Sequence, residues 1–326
     1  MINLIGTIAL MWLLLWACLT LVFGLLYPGL RGLMLRLHPR HASNLITIFW
    51  AGPLLISALA SLLLFLPRLE GRLIEPHCHG TCEQHVPLVG VEIVAWLGMA
   101  MALVLAGSLL AQFLFRLRSG VRMRRQFDAL AKRQQGFRVL KADVPAVFTL
   151  GWWHPGVFIS RGLQKLCSEQ ELAIILDHEH AHRVRRDNLR MLAGQIFCLV
   201  LPRPWARMVL GDLQLMCEQA CDFESARRHG YLSVAETLVH VGRVIKQNLI
   251  PDAARGFSGS DLELRVHALL DAEKRRLLPL WLSLFLSVSV MAGILLALDP
   301  LHHAAEWLIV MLEHNVIPRL PATSGS

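Results

Sequence analysis

The stretch LAIILDHEHAH, residues 172–182, decides how the central part of this chain folds. Its apolar residues recur at helical spacing, and Ser168 followed by Glu171 just ahead of it forms a capping-box pattern. This predicts a helix that begins there and runs toward Val200. Residues four apart on a helix lie on the same face, so His178 and His182 can share one metal ion. His180 points about 200° away and cannot join that site.

Glu179 lies beside the histidine pair and completes the HExxH arrangement of zinc peptidases. Zinc lowers the pKa of a bound water from about 15.7 to about 7, and a neighbouring carboxylate can take its proton. Glu179 is therefore predicted to be the general base. The alternative is that a short pattern has arisen by chance on a charged helix surface.

A third ligand is expected from CEQACD, residues 217–222, because a catalytic zinc takes three protein ligands. Glu218 and Asp222 are four apart and share a helix face. We predict Glu218 as the third ligand and Asp222 as the acceptor that orients a ligand histidine. In the alternative these are surface acids, and Cys217 and Cys221 bind another metal, although helical cysteines are usually core residues.

The elements around these motifs follow from breaker residues. Pro202 and Pro204 separate two predicted helices that run antiparallel, the second ending near Gly230. Residues 119–135 are predicted as a basic helix. Residues 138–160 carry Val, Phe and Ile runs broken by glycine and proline, which predicts a small β-hairpin or sheet.

The rest of the chain is typical of a membrane protein. Hydrophobic residues make up 55% of its 326 residues, and its mean hydropathy is +0.49. Apolar blocks of about 20 residues predict four membrane-spanning helices, at 3–26, 44–66, 91–115 and 279–298. The first block lacks a basic start and a small-residue cleavage site, so a span is favoured over a signal peptide.

The net charge of +8 marks topology rather than nucleic-acid binding, because arginine and lysine follow the first and third spans and precede the fourth. We therefore expect a mainly α protein of the bacterial inner membrane with both termini periplasmic. The predicted order is three spans within 1–115, a cytoplasmic zinc metallopeptidase domain at 116–278, the fourth span, and a periplasmic tail at 299–326.

A cluster of possible ligands lies in the predicted periplasmic loop at 67–90, where the sequence reads EPHCHGTCEQH. His77, Cys78, His79 and Cys82 suit copper or zinc, which makes metal sensing one hypothesis. The alternative is a disulfide between Cys78 and Cys82 in an oxidising compartment, with solvated histidines.

Three motifs resemble the BlaR/MecR-type integral-membrane zinc metallopeptidases: HEHAHRVRRDNL at 178–189, EQACD at 218–222 and TLGWWHPGVFIS at 149–160. The resemblance implies zinc held by His178, His182 and Glu218, with Glu179 as base and Asp222 in support. It also implies that the strand near Phe158 pairs with an extended substrate, and it leads us to consider Arg227 or His229 for the oxyanion. The sensor domain of the antibiotic-sensing members is not expected here.

The predicted function is a zinc endopeptidase that cleaves a cytoplasmic protein, such as a transcriptional repressor or itself, in regulated signalling. Two alternatives stay open: a membrane quality-control protease similar to HtpX, and a non-catalytic metal-sensing transducer. The expected partners are a protein substrate, membrane lipid and a second copy of the chain, without direct nucleic acid.

Overall fold

The computed structural model describes residues 2–64, 92–134, 136–248, 259–272, 277 and 279–316. Helices α1 to α3 are Ile2–Leu35, Pro39–Leu64 and Glu92–Leu130. Strands β1 to β4 follow at Ala131–Arg133, Arg138–Leu140, Val147–Leu150 and Gly156–Ser160. Helices α4 to α10 are Arg161–Leu166, Glu169–Arg185, Asp187–Phe197, Arg203–His229, Tyr231–Asn248, Gly259–Leu270 and Leu280–Val316. The protein is therefore mainly helical, with one small sheet, as predicted.

Among the described residues, three helices are long and apolar enough to cross a membrane: α1, α2 and α3, over Asn3–Leu35, Pro39–Leu63 and Glu92–Leu130. The fourth predicted span, at 279–298, lies within α10 and stays a prediction, as does the orientation. Helix α10 continues through Pro300 to Val316, so most of the predicted tail is helical. The Cys/His loop with His77, Cys78, His79 and Cys82 lies outside the described residues.

The described chain divides into two compact units. The first contains Met1–Tyr27, Ala51–Ser108 and Pro279–Ser326. Within it α1 and α3 approach closely through small residues, because a Cβ at Gly6 would lie 2.4 Å from the Ala95 carbonyl oxygen. Such contacts are typical of packed membrane helices.

The second unit contains Pro28–Trp50 and Leu109–Leu278, and it holds all the predicted metallopeptidase residues. Its four-stranded sheet has the order β1-β2-β4-β3, with β2 and β4 parallel and the other neighbours antiparallel. The basic helix predicted over 119–135 ends at Leu130, because residues 131–133 pair with β2.

Strand β4 is central in the sheet and buried along its whole length. The expectation that the strand near Phe158 pairs with substrate is therefore wrong, because both of its edges are already paired with β2 and β3. The edge strand on this side of the sheet is β3.

Helix α5 lies between the sheet and the helices that follow it. Ile175 packs with Val139 and Ile159 on the sheet side. Its neighbour Ile174 packs with Phe223 and Val234 on the helical side. Burial on two faces explains why LAIIL is continuously apolar just before the charged HEHAH segment.

The start of α5 matches the prediction. The Ser168 side chain accepts a hydrogen bond from the Glu171 backbone, and the Glu171 side chain accepts one from the Ser168 backbone. The predicted continuous helix toward Val200 is wrong, however, because Arg186 adopts a left-handed conformation with φ 55°. Helix α5 ends there and α6 begins at Asp187 in a new direction.

Candidate metal centre

Helices α5 and α7 pack antiparallel, and this register assembles the site. The Ser225 hydroxyl donates to the Ile174 carbonyl, His178 contacts Asp222, and His182 contacts Glu218. Residues later in α5 therefore contact residues earlier in α7, as expected for antiparallel helices. Helix α6 lies between the two in the chain, and α7 starts at Arg203 with Pro202 as its N-cap residue, where the sequence predicted a break.

Three side chains converge as a set of metal ligands would. The two Nε2 atoms of His178 and His182 lie 3.2 Å apart. Glu218 carboxylate oxygens lie 3.4 Å from Nε2 of His178 and 3.5 Å from Nε2 of His182. A tetrahedral zinc with bonds of about 2.0–2.2 Å separates its ligand atoms by roughly 3.3–3.6 Å. The observed triangle therefore has the size and the donor types that zinc requires.

The other ring nitrogen of each histidine meets a carboxylate. Nδ1 of His178 lies 2.9 Å from Asp222, and Nδ1 of His182 lies 3.0 Å from Asp187. Carboxylates in these positions fix the ring tautomer so that Nε2 is free to accept a metal. The sequence predicted this role for Asp222 but missed Asp187.

Asp187 reaches His182 because of the break at Arg186. As the first residue of α6 it turns back toward the end of α5, where Arg185 and Arg190 also bind its carboxylate, at 3.1 and 2.5 Å. With the Cys221 thiol, which donates to it at 3.4 Å, four partners hold this buried acid. Burial alone would raise the pKa of Asp187, but His182 and Arg185 lower it overall.

Arg265 on α9 is a second residue that the sequence motifs did not indicate. Its guanidinium binds both oxygens of Asp222, at 2.7 and 2.8 Å, and lies 3.1 Å from Glu218. Burial alone would raise the pKa of Glu218, but Arg265 and the histidines hold it well below its ordinary value. The Glu218 carboxylate, the predicted third ligand, is therefore ionised, which is the form that binds zinc.

The candidate base Glu179 is held by hydrogen-bond partners that do not include the three ligand side chains. It is buried, and its carboxylate accepts a 2.7 Å hydrogen bond from the Thr149 hydroxyl on β3. The Asn188 amide in turn donates to the carbonyl oxygens of Thr149 and Gly151, at 2.9 and 3.1 Å. These bonds tie the end of the edge strand to the HExxH helix α5 through Thr149 and to α6 through Asn188.

Cys217 and Cys221 are buried, as core residues are. Burial raises the pKa of Cys217 to about 11 and that of Cys221 to about 12. Cys221 lies 3.3 Å from Nδ1 of His182, on the face of the ring turned away from Glu218. Their burial agrees with the core interpretation, while Cys221 also lies close enough to His182 and Asp187 to share an ion with them.

The site opens into a cleft of about 340 Å³. It is lined by the HExxH residues, Glu218 and Asn188. Its apolar wall is formed mainly by α8, through Leu238, Val241 and Ile245, and α9 adds Leu262 together with the charged Asp261 and Arg265. Arg227 and His229 do not line it. They pair with Glu224 and Asp177 instead, so the oxyanion role considered for them is not supported.

One comparison with known proteins gives a family. Residues 118–216 match the model of peptidase family M48. The match includes the HExxH segment and ends just before Glu218, and it indicates a metallopeptidase domain of a generally zinc-dependent kind. No curated protein and no solved structure gives a significant match. The BlaR/MecR resemblance therefore rests on the quoted motifs alone.

Proposed function

We propose that this protein is a membrane-embedded zinc endopeptidase whose zinc ligands are His178, His182 and Glu218. The observation that carries the proposal is the convergence of two imidazole Nε2 atoms, 3.2 Å apart, with the Glu218 carboxylate, whose Oε2 lies 3.4 Å from His178 and whose Oε1 lies 3.5 Å from His182, next to a buried glutamate. Zinc bound there would supply a water with a pKa near 7 (about 15.7 in bulk water) at an open coordination position.

Glu179 acts as the general base in this proposal. Its carboxylate takes the proton of the attacking water and passes it to the leaving amine nitrogen. The Thr149 hydroxyl keeps the carboxylate in place, and Asp222 and Asp187 keep both histidines in the metal-binding tautomer.

Strand β3 is the proposed substrate-binding edge. Ser160 donates to the Ala146 carbonyl, so in the antiparallel alternation Phe148 also bonds to β4, while the main-chain groups of Val147 and Thr149 point away from it. An extended peptide can add to such an edge through main-chain hydrogen bonds. The apolar wall of the cleft then favours a large aliphatic or aromatic substrate side chain beside the cleaved bond.

The test compares Glu179→Gln with the wild-type chain in detergent, using fluorescein-labelled casein as substrate and elemental analysis for zinc. We expect the variant to keep its zinc and to lose activity by about 10² to 10⁴, the usual contribution of a general base. Glu169→Gln is the matched control, because Glu169 is an exposed glutamate in the first turn of the same helix. Wild-type cleavage by Glu179→Gln would refute the role of Glu179 as base, and an absence of cleavage by the wild-type chain itself would favour the non-catalytic transducer.

For the biological role we propose regulated cleavage of a repressor or of the chain itself, supported by the BlaR/MecR resemblance. Quality control of membrane proteins is the alternative. Comparing new protein N-termini in cells that carry wild type or Glu179→Gln separates them: a few regulatory products support signalling, and many membrane-protein fragments support quality control.

A further inference from the structure

The turn between β3 and β4, residues 151–155, is fastened to α3; we call it the hairpin tip. The Trp152 indole donates a 3.0 Å hydrogen bond to the Leu117 carbonyl, and Arg124 donates to the His154 carbonyl. The Trp152 ring lies directly on Gly120, where a Cβ would come within 2.4 Å of it. Only glycine permits this contact, so the hairpin tip is held at a fixed position along the axis of α3.

This position coincides with the end of the apolar part of α3. The helix has no charged residue from position 109 to Phe115, and Arg116 is the first charged residue after that stretch. Leu117 follows directly, two residues or about 3 Å beyond Phe115 along the helix axis. In a helix that crosses a membrane this is the boundary between acyl chains and headgroups. The tip presents Trp153, which is 50% exposed, at that boundary.

Helix α6 contacts α3 at this level, and an apolar turn follows the contact. Arg116 donates a 3.1 Å hydrogen bond to Gln195 on α6. About one turn later the 3-10 turn Cys198–Val200 exposes Leu199 and Val200, at 40% and 36%. We call this turn the α6 tip. It is followed by Arg203 at the start of α7.

We propose that the hairpin tip and the α6 tip are immersed in the interfacial layer of a phospholipid bilayer beside α3. Tryptophan favours this layer because its ring is apolar and its N–H is polar. Exposed arginines on α3 and in the first turns of α7 fit anionic headgroups; they are Arg118, Arg122, Arg125, Arg203 and Arg207. The inference rests on α3 crossing the membrane and is independent of the proposed peptidase activity.

The arrangement also sets the position of the metal centre. Thr149, which holds Glu179, precedes Trp152 by three residues, which span at most about 10 Å. The cleft would then open close to the membrane surface, and β3 would lead from the headgroup layer into the site.

Photocrosslinking in vesicles tests the proposal. The full-length chain, with p-benzoylphenylalanine at position 153 or 200, is placed in vesicles of phosphatidylethanolamine and alkyne-tagged phosphatidylglycerol, and lipid adducts are measured after irradiation. Phe115, 68% exposed on α3, is the positive control. Leu232 is the negative control: it is 63% exposed and lies at the start of α8, which is not among the helices long and apolar enough to cross a membrane in the described part of the chain.

We expect adducts at positions 153 and 200 to be comparable to those at 115 and several-fold above those at 232. Adducts at 153 and 200 no stronger than at 232 would overturn the proposal. So would an absence of adducts at 115, because α3 would then not lie in lipid. Quenching by brominated lipids gives a second measurement: wild type should lose more emission than Trp153→Phe, and equal loss argues against immersion.

Discussion

At the scale of single residues, Asp222 connects the ligand histidine His178 with Arg265, which is not one of the proposed zinc ligands. It binds Nδ1 of His178 and both guanidinium nitrogens that Arg265 presents to it. Asp222→Asn keeps the size of the side chain but removes the charge. We expect zinc affinity to fall about 10- to 100-fold, the usual effect of losing a partner of a metal-binding histidine. Competition with a fluorescent zinc chelator measures this.

Asp177→Asn provides the matched control. Asp177 also pairs with a histidine, His229, at 2.8 Å, and with Arg228, but it lies outside the triangle of ligand atoms. Its loss should leave zinc affinity unchanged. If both variants bind zinc as the wild type does, Asp222 has no part in holding the metal.

Sequence spacing could predict the residues whose partners are local. His178 and His182 share a helix face, and so do Glu218 and Asp222, because each pair is four residues apart. Arg265 could not be predicted in this way. It lies in an ordinary amphipathic stretch, DLELRVHALL, and becomes part of the site only because α9 packs against α7. Thr149 is hidden for the same reason, since its partner Glu179 is thirty residues away.

At the scale of elements, the capping box fixes where α5 begins. Glu171 accepts a 2.8 Å hydrogen bond from the Ser168 backbone and also contacts His240 on α8. Glu171→Ala should lower the free energy of unfolding by about 1 kcal/mol at pH 7, because a cap residue contributes about that much. Chemical unfolding of the full-length chain in detergent measures the difference, with the exposed Glu169→Ala as control.

The same contribution should depend on pH. Partial burial alone would raise the pKa of Glu171, but hydrogen bonds from Ser168 and His240 lower it below its ordinary value of 4.5. A carboxyl whose pKa is lower in the folded state stabilises fully above 4.5 and loses this effect as pH falls through the folded pKa. The gap between wild type and Glu171→Ala should therefore narrow below pH 4.5; a constant gap would contradict the role of the charge.

The break between α5 and α6 shows what element-level reasoning could not reach. The sequence RVRRDNL has no glycine or proline to mark an end, so its helical pattern predicts continuation. Arg186 nevertheless adopts φ 55°, which costs a non-glycine residue about 1–2 kcal/mol. The four contacts that Asp187 then makes with His182, Arg185, Arg190 and Cys221 offset this cost. Tertiary contacts decide the break.

At the scale of the second unit, the turn between α1 and α2 is part of the peptidase domain. Arg31 pairs with Asp212 on α7 at 2.6 Å. Arg185 donates to the Ser43 hydroxyl at 3.0 Å, and Arg190 to the Asn44 side chain at 2.9 Å. The two arginines that hold Asp187 are thus held in turn by α2. The candidate metal centre is therefore supported by segments that are about 140 to 180 residues apart in the sequence.

A cleft held at the membrane surface should select its substrates by position. We compare one cleavable peptide in three forms: free, joined to a lipid anchor by a linker of about five residues, and joined by one of about thirty. An extended linker spans about 3.3 Å per residue, so the short one already covers the distance of at most about 10 Å from the hairpin tip to Thr149. Both anchored forms gain from high local concentration, and that gain falls as the linker lengthens.

We therefore expect kcat/KM, measured in vesicles, to be highest for the short linker, lower for the long one and lowest for the free peptide, with no cleavage by Glu179→Gln. A site far from the surface would reverse the order of the two anchored forms, because only the long linker would then reach it. The expected order would favour substrates that are themselves membrane-bound, including a second copy of this chain, over a freely diffusing repressor. The position of the β3–β4 hairpin along α3 sets how far the cleft lies from the membrane, and that distance would thus help to decide between signalling and quality control.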